Sequence, residues 1–169
     1  MTHPLIIGLF ATTSGAATAA RELRTLGIPQ ERVSIVARTH DEEGSLARAS
    51  GATPGSELED SRSAGRLGEL SAHLLAAVAV GLPGIGPIVA DGPLAAGLGE
   101  AAGHIGGRIV ATLEAAGIPA ADAERFERRI IEGSILVGAH VDSAHLAQAR
   151  EVLTRTGATK VVEGVWRER

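Results

Sequence analysis

Two short apolar runs, far apart in the chain, begin its most regular patterns. Residues 5–10 and residues 135–141 are almost entirely apolar, which predicts a strand at each place. Polar residues that can cap a helix follow each run, among them Thr12 and Asp142. An alanine-rich stretch with an apolar stripe comes next and predicts a helix. A further apolar run then predicts a second strand, so each region has the order strand, helix, strand.

These two regions form an internal repeat. A shift of 130 positions lays residues 5–27 over residues 135–157 without a gap. Five positions are then identical: Gly8 with Gly138, Ala17 with Ala147, Ala19 with Ala149, Leu23 with Leu153, and Gly27 with Gly157. The second strands are expected at residues 32–38 and 160–165. Gly27 and Gly157 stand where a left-handed cap would end each helix.

Two such halves sharing one sheet are typical of a ferredoxin-like α+β fold. The first strands of the halves would lie at the centre, the second strands at the edges, and both helices on one face. In the first strand Leu5, Ile7 and Leu9 point one way, and the alternate residues on the other side, such as Phe10, are apolar too. Since a sheet with one wet face would alternate apolar and polar residues, the second face needs a cover. The inserted helices and another subunit are the two candidates.

The region between the halves changes character twice. We expect one composite domain with four parts: the first half (residues 1–38), a polar flexible loop (39–66), an inserted glycine- and alanine-rich helical hairpin (67–117), and a helix followed by the second half (118–169). The hairpin is predicted as one helix over residues 67–80 and another from about 93 to 116. Gly117-Ile118-Pro119 then breaks the chain as Gly27-Ile28-Pro29 does earlier.

A ridge of small residues at spacing four marks the second inserted helix: Ala95, Gly99, Gly103, Gly107, Ala111 and Ala115. Residues at this spacing share a helix face, and Gly68, Ala72 and Ala76 offer a matching surface. A glycine inside a helix costs roughly 1 kcal/mol relative to alanine, so the pattern needs a packing reason. It favours a glycine-zipper seam between helices, within one chain or between chains. The alternative is an alanine- and glycine-rich helix with no specific partner.

Small-residue ridges also occur in membranes. Residues 74–90 carry no charge, but these 17 positions are interrupted by Pro83 and Pro87 and fall short of the ~20 needed to span a bilayer. The second helix would also carry a polar stripe ending at Arg108. The sequence therefore favours a soluble hairpin, with peripheral membrane contact of residues 74–90 as the alternative.

Composition excludes several classes of function. The 169-residue chain has a net charge of −4, and its aromatic residues are Phe10, Phe126 and Trp166. Nucleic-acid binding is disfavoured, because single-strand binders need basic grooves and aromatic platforms. With no cysteine, disulfides, thiolate catalysis and cysteine-bound zinc are excluded. No basic and apolar leader precedes the first strand, so we expect a cytoplasmic protein.

His140, Asp142 and His145 form the strongest chemical cluster in the sequence. Imidazole and carboxylate are suitable metal ligands, which makes the three a candidate metal site. In the alternative, Asp142 caps the following helix, His145 is solvated, and His140 packs opposite Phe10. The glycines of residues 97–103 resemble a dinucleotide loop only superficially, because the preceding residues are already helical in pattern. We therefore predict no catalytic residues, no cofactor and no metal.

The assembled features resemble the bacterial general stress protein family typified by the heat-induced stress protein YflT. The opening residues 6–10, the stretch from residue 19 to 37 that contains Gly27-Ile28-Pro29, and residues 133–142 carry the likeness. In the middle, residues 83–87 and 92–95 are similar to that family's glycine-rich insertion. The resemblance implies a stress-associated bacterial protein without an established active site.

Three functional hypotheses follow. The first is a non-enzymatic stress protein that acts through self-assembly, since apolar sheet faces and a small-residue seam both require a partner surface. The second is a small-ligand-sensing regulatory module, suggested by fold analogy. The third is a peripheral membrane-associated protein. An enzyme is the least favoured class, because no nucleophile, base and orienting group converge in any motif.

Overall fold

The computed structural model describes residues 2–38, 78–82, 85–102 and 108–167, which form an α+β fold. In chain order the elements are β1 (Thr2–Phe10), α1 (Thr13–Thr25), a 3₁₀ turn (Gln30–Arg32), β2 (Val33–Arg38), β3 (Val78–Leu82), β4 (Gly86–Asp91), α2 (Pro93–Ala102), α3 (Ile109–Ala115), α4 (Ala120–Ile131), β5 (Ile135–His140), α5 (Leu146–Arg155) and β6 (Lys160–Arg167). The predicted loop at residues 39–66 lies outside the described residues.

Both halves of the repeat contribute to one sheet. Its strand order is β3-β4-β2-β5-β1-β6, and all neighbouring strands are antiparallel. The first strands of the halves, β1 and β5, pair with each other from Leu5 opposite His140 to Phe10 opposite Ile135. The second strands flank this pair as predicted, with β6 beside β1 and β2 beside β5. However, β2 is not an edge strand, because β4 pairs along its other side.

The two faces of the sheet each have their own apolar core. On the first face, which we call face A, the helices α1 and α5 cover Ile6, Phe10 and Val137. On the opposite face, face B, residues of α2, α3 and α4 cover Leu5, Ile7 and other strand residues. The prediction that both faces are apolar and need a cover is confirmed, and on face B helices of the same chain provide it.

The predicted helical hairpin is wrong at residues 78–80, the described part of its first helix. Residues 78–80, expected to end a helix, belong to β3, and β3 and β4 form a β-hairpin that extends the sheet beyond β2. The sequence Val-Ala-Val-Gly-Leu is rich in β-branched residues, which pack well on a pleated surface, and β2 offers an unpaired edge for β4. Within the described ranges, no helix is both long and apolar enough to cross a membrane.

The small-residue ridge is not continuous. Arg108 has an extended backbone, with φ −133° and ψ 155°, so a new helix begins at Ile109 and the predicted helix over 93–116 is divided. Ala95 of α2 is buried, whereas Ala111 of α3 is exposed. A single helix face therefore cannot join them. The expected matching surface at Gly68, Ala72 and Ala76 falls outside the described residues.

The helix ends of the repeat agree with the sequence. Gly27 and Gly157 have φ of 89° and 104°, and each follows the last helical turn as a left-handed cap. In both, the next residue donates its amide to a carbonyl five positions back: Ile28 to Leu23, and Ala158 to Leu153. These paired bonds satisfy carbonyls that the helix end would leave free. The prediction of two matching caps is confirmed.

The strands of the repeat do not follow the gapless alignment. Gly8 faces Leu153 of α5 on face A, whereas its aligned residue Gly138 faces Leu94 of α2 on face B. Because strand residues alternate between faces, an odd offset is needed for the strands to match. Val141, like Phe10, belongs to the face A core, which corresponds to an offset of 131. The helices keep 130, so the offset that aligns the strands and the offset that aligns the helices differ by one residue.

Candidate functional site

A small cavity opens on face B near the start of α2. Its volume is about 170 Å³, and it is lined by His3, Arg32, Pro93, His140 and Trp166. These residues come from four different strands or turns and one helix, so only the folded chain assembles them. The lining combines one guanidinium, two imidazoles and an indole.

The register of three strands brings the aromatic and imidazole side chains together. His3 of β1 lies directly opposite Trp166 of β6, and directly opposite residues share a face. His140 ends β5, and its ring meets the Trp166 indole edge to face, with centroids 4.9 Å apart and an interplanar angle of 70°. His140 is only 8% exposed, while His3 and Trp166 are half-buried. The amide of Val141 donates to the Pro4 carbonyl at 3.0 Å, which fixes the end of β5 beside β1.

The start of α2 is held against β2 by a glycine and a serine. Gly92 has φ +79°, and a Cβ at this position would lie 2.1 Å from the Val33 carbonyl oxygen. Only glycine permits both this backbone conformation and this approach. The amide of Leu94 donates to Oγ of the fully buried Ser34 at 3.2 Å. These contacts place Pro93, the first residue of α2, at the cavity wall.

Arg32 supplies the permanent positive charge of the cavity. It ends the 3₁₀ turn, where its amide donates to the Pro29 carbonyl at 2.9 Å, and its side chain is exposed. The N-terminal end of α2 adds a partial positive field. Asp91, one residue before Gly92, is a buried carboxyl group next to this region, and its Oδ1 accepts from the Gly92 amide at 2.8 Å. None of the five lining side chains is acidic.

The candidate metal site at His140, Asp142 and His145 does not assemble. Asp142 and His145 lie together, with Oδ1 of Asp142 accepting from the His145 amide at 3.0 Å and lying 2.6 Å from its Nδ1. His140 instead lies in the cavity against Trp166. Within the part of the chain that the structure describes, no group of three or more His, Asp or Glu residues could hold a metal ion.

The alternative interpretation of the same three residues agrees with the structure for Asp142 and His145 but not for His140. Asp142 bonds the amide of His145 just before α5, and both side chains are exposed. The hydrogen bond from the His145 side chain is the main reason that the pKa of Asp142 lies below its ordinary value of 3.8. His140, however, does not pack opposite Phe10. In the antiparallel pair His140 lies opposite Leu5, at the other end of β1.

A second and larger cavity, of about 520 Å³, lies between α3 and α4 and contains several charged residues. Its buried member is Glu127, whose side chain is 3% exposed. One carboxylate oxygen of Glu127 accepts from Nε of Arg108 at 3.0 Å, and the other accepts from the Val110 amide at 3.1 Å. Glu127 therefore satisfies a free amide at the start of α3. Its role is to hold α3 against α4.

The glycine-containing stretch 97–103 starts inside α2 and not in a strand-to-helix loop. Gly97 lies inside α2, where a Cβ would come within 2.9 Å of Cγ2 of Thr112 on α3. This glycine therefore permits close packing of two helices. A dinucleotide loop would instead present its amides at a helix start.

Sequence reasoning singled out one cavity residue, His140, and for a different reason. His3, Arg32 and Pro93 carry no motif, and Trp166 was noted only as one of three aromatic residues. The available signal was indirect: Trp166 and His3 lie near the ends of predicted strands. Their proximity follows from the β1–β6 register, which the repeat pattern does not specify.

Comparison of the chain with protein-family models, with curated proteins and with solved structures finds no match.

Proposed function

We propose that this chain is a binding module for a small molecule, which occupies the cavity lined by His3, Arg32, Pro93, His140 and Trp166. The observation that carries the proposal is the convergence of a guanidinium, two imidazoles and an indole around one opening. Binding sites typically combine apolar and aromatic walls with a few placed polar groups. At about 170 Å³ the cavity is smaller than sites for drug-sized ligands, so the ligand is a compact one.

The proposed role is binding without catalysis. The lining side chains offer no hydroxyl, thiol or carboxylate that could act as a nucleophile toward a bound molecule. The residues that resemble the general stress protein family support a setting in bacterial stress responses. For the fold, the order β2-β5-β1-β6 with α1 and α5 on one face supports assigning these elements to a ferredoxin-like unit, extended by β3 and β4.

The fluorescence of Trp166 provides a direct test. It is the only tryptophan, and the chain has no tyrosine, so its emission reports on the cavity without interference. Amino acids, organic acids, nucleotides and divalent cations are added to the purified protein. We expect at least one compound to change the emission saturably and to raise the melting temperature, because a ligand at 100 times its Kd stabilises by about 2.7 kcal/mol.

Two histidine variants locate the binding. His3→Ala removes a lining imidazole, and we expect it to weaken binding of the compound found in the screen. His145→Ala removes an exposed imidazole outside the cavity and serves as the matched control. If no compound gives a saturable change, or if both variants bind equally well, the proposal is wrong.

Self-assembly, the first expectation from the sequence, is retained as a second candidate on narrower grounds. An uncovered sheet face no longer supports it, since α2, α3 and α4 cover face B. Its support is β6, the last strand of the sheet, where Val165 is 53% exposed, the one exposed large apolar side chain among the described residues. Light scattering at micromolar concentrations should then give a multimeric mass that Val165→Lys reduces. A monomeric wild-type protein would contradict this candidate.

A further inference from the structure

The charges around the cavity define the chemical class of its ligand. Arg32 is permanently cationic, and each of the two imidazoles has a ring N–H that can donate a hydrogen bond. No lining side chain is an acid. A cationic ligand would therefore be repelled by the Arg32 guanidinium and would find no carboxylate in the lining to pair with. We propose that the ligand is a compact oxyanion, a small carboxylate or a phosphate; this inference rests on the proposed function of the cavity.

Arg32 is the group that recognises the oxyanion. A guanidinium presents paired N–H donors whose spacing matches two oxygens of a carboxylate or phosphate. The short 3₁₀ turn and the following strand β2 fix the backbone of Arg32 beside the cavity. Because its side chain is exposed, Arg32 can reach a bound anion without leaving a buried charge unpaired in the empty protein.

The start of α2 favours an anion by its field and not by its amides. Pro93 has no N–H, the Leu94 amide is bonded to Ser34, and the Ala95 amide donates to the Gly92 carbonyl at 3.0 Å. The helix still has ten residues, and its positive end lies at the cavity wall. Asp91 is an acidic group beside this helix start, and its Oδ1 accepts from the Gly92 amide. The side-chain donors of Arg32 must therefore make the specific contacts.

Size and wall chemistry further restrict the oxyanion. The volume of about 170 Å³ is below the roughly 300 Å³ of the smaller known ligand sites, which restricts the occupant to a compact molecule. Trp166 and Pro93 form an apolar part of the wall, which suits a short hydrocarbon portion attached to the anionic group. A small organic acid can bind the cationic guanidinium with its carboxylate and contact the apolar wall with its hydrocarbon part. Inorganic phosphate can bind only the guanidinium.

The test compares anions with a neutral molecule of the same shape. Trp166 emission is followed while propionate, inorganic phosphate or propionamide is added at constant ionic strength. We expect propionate or phosphate to bind at least about tenfold more tightly than propionamide, the size of one lost charged hydrogen bond. The relative affinities of propionate and phosphate then distinguish the two sources of oxyanion.

Arginine variants test the assignment of the binding group. Arg32→Gln should weaken oxyanion binding at least about tenfold, while Arg32→Lys should retain part of it, since lysine keeps the charge but lacks the paired donors. Arg21→Gln, on the exposed side of α1, is the control and should bind as the wild type does. Melting temperatures of the variants without ligand confirm that each is folded.

The outcomes separate this inference from the proposed function. If propionamide binds as tightly as propionate, or if Arg32→Gln leaves the oxyanion Kd unchanged, the oxyanion class is wrong while a binding module remains. If propionate and phosphate both fail to bind and the broader screen finds another ligand, the oxyanion inference is overturned and the proposed binding function stands. If no compound in either experiment binds, both are overturned.

Discussion

At the scale of single residues, Gly92 meets two requirements that alanine cannot meet together. Its φ of +79° lies in the left-handed region, and a Cβ would overlap the Val33 carbonyl oxygen at 2.1 Å. We expect Gly92→Ala to lower the free energy of unfolding by more than about 2 kcal/mol, since the left-handed conformation alone costs roughly 1–2 kcal/mol. Urea denaturation followed by circular dichroism measures the change.

The matched control for this substitution is Gly27→Ala. Gly27 also has a left-handed backbone, with φ +89°, but a Cβ there would meet no atom within 4 Å. Gly27→Ala should therefore lower the free energy of unfolding only by the cost of the left-handed conformation, about 1 kcal/mol. Equal losses in the two variants would show that the close approach of Gly92 to β2 does not contribute to stability.

A second residue-scale prediction concerns Asp142. Since the side-chain hydrogen bond from His145 lowers the pKa of Asp142 in the folded protein, the ionised carboxylate stabilises the fold above the unfolded value near 3.8. This stabilisation is lost as the pH falls through the lower folded pKa. Wild type should be more stable than Asp142→Asn at about pH 6, and the difference should shrink toward pH ~3.

Urea denaturation at several pH values measures this difference. Glu151→Gln, a change at an exposed carboxylate of α5, is the control for removing one negative charge from the same helix region. A difference between wild type and Asp142→Asn that stays constant down to pH ~3 would contradict the role assigned to the ionised carboxylate.

At the scale of elements, α3 depends on a carboxylate from its neighbour. Glu127 of α4 accepts from the Val110 amide and from Arg108, and it is almost fully buried. Glu127→Ala should destabilise the protein by about 2–3 kcal/mol, because the start of α3 and the Arg108 guanidinium lose their acceptor. The loss of stability is modest because the Arg108 side chain is 63% exposed and water can replace part of the interaction.

The control for Glu127 is Glu124, one turn earlier on the same helix. Glu124 is exposed, so Glu124→Ala should change the free energy of unfolding by no more than about 0.5 kcal/mol. Urea denaturation of both variants tests the prediction. Equal effects would mean that Glu127 does not hold α3 in place.

Element prediction succeeded where local rules and tertiary packing agree. The strands near Leu5 and Ile135, the helices after them and the caps at Gly27 and Gly157 follow from short-range patterns. It failed at residues 78–80, where an uncharged alanine- and valine-rich stretch suits either a helix or a buried strand, and it did not predict β4. The free edge of β2 decided the outcome, because residues 88–91 of β4 pair with β2 there.

At the scale of the whole molecule, the two halves cannot separate without opening the sheet. β5 of the second half lies between β1 and β2 of the first. We therefore expect one cooperative unfolding transition. Trp166 fluorescence, which reports on β6, and far-ultraviolet circular dichroism, which reports on all helices and strands, should give the same midpoint in urea. Two separate midpoints would contradict an interleaved, single unit.

What the sequence determined by itself is the duplicated strand–helix–strand pattern, the apolar character of both sheet faces and the helix caps, since each depends on residues within about one turn or one strand. The tertiary structure alone decided the order of the strands and which helices cover face B. It also decided the one-residue difference between the offset that aligns the strands and the offset that aligns the helices. It also decided the candidate site: His3, Arg32, His140 and Trp166 are distant in the chain, and only the strand register brings them to one cavity. The physical reason is that local patterns fix which way a side chain points, while the pairing of strands fixes what it points toward.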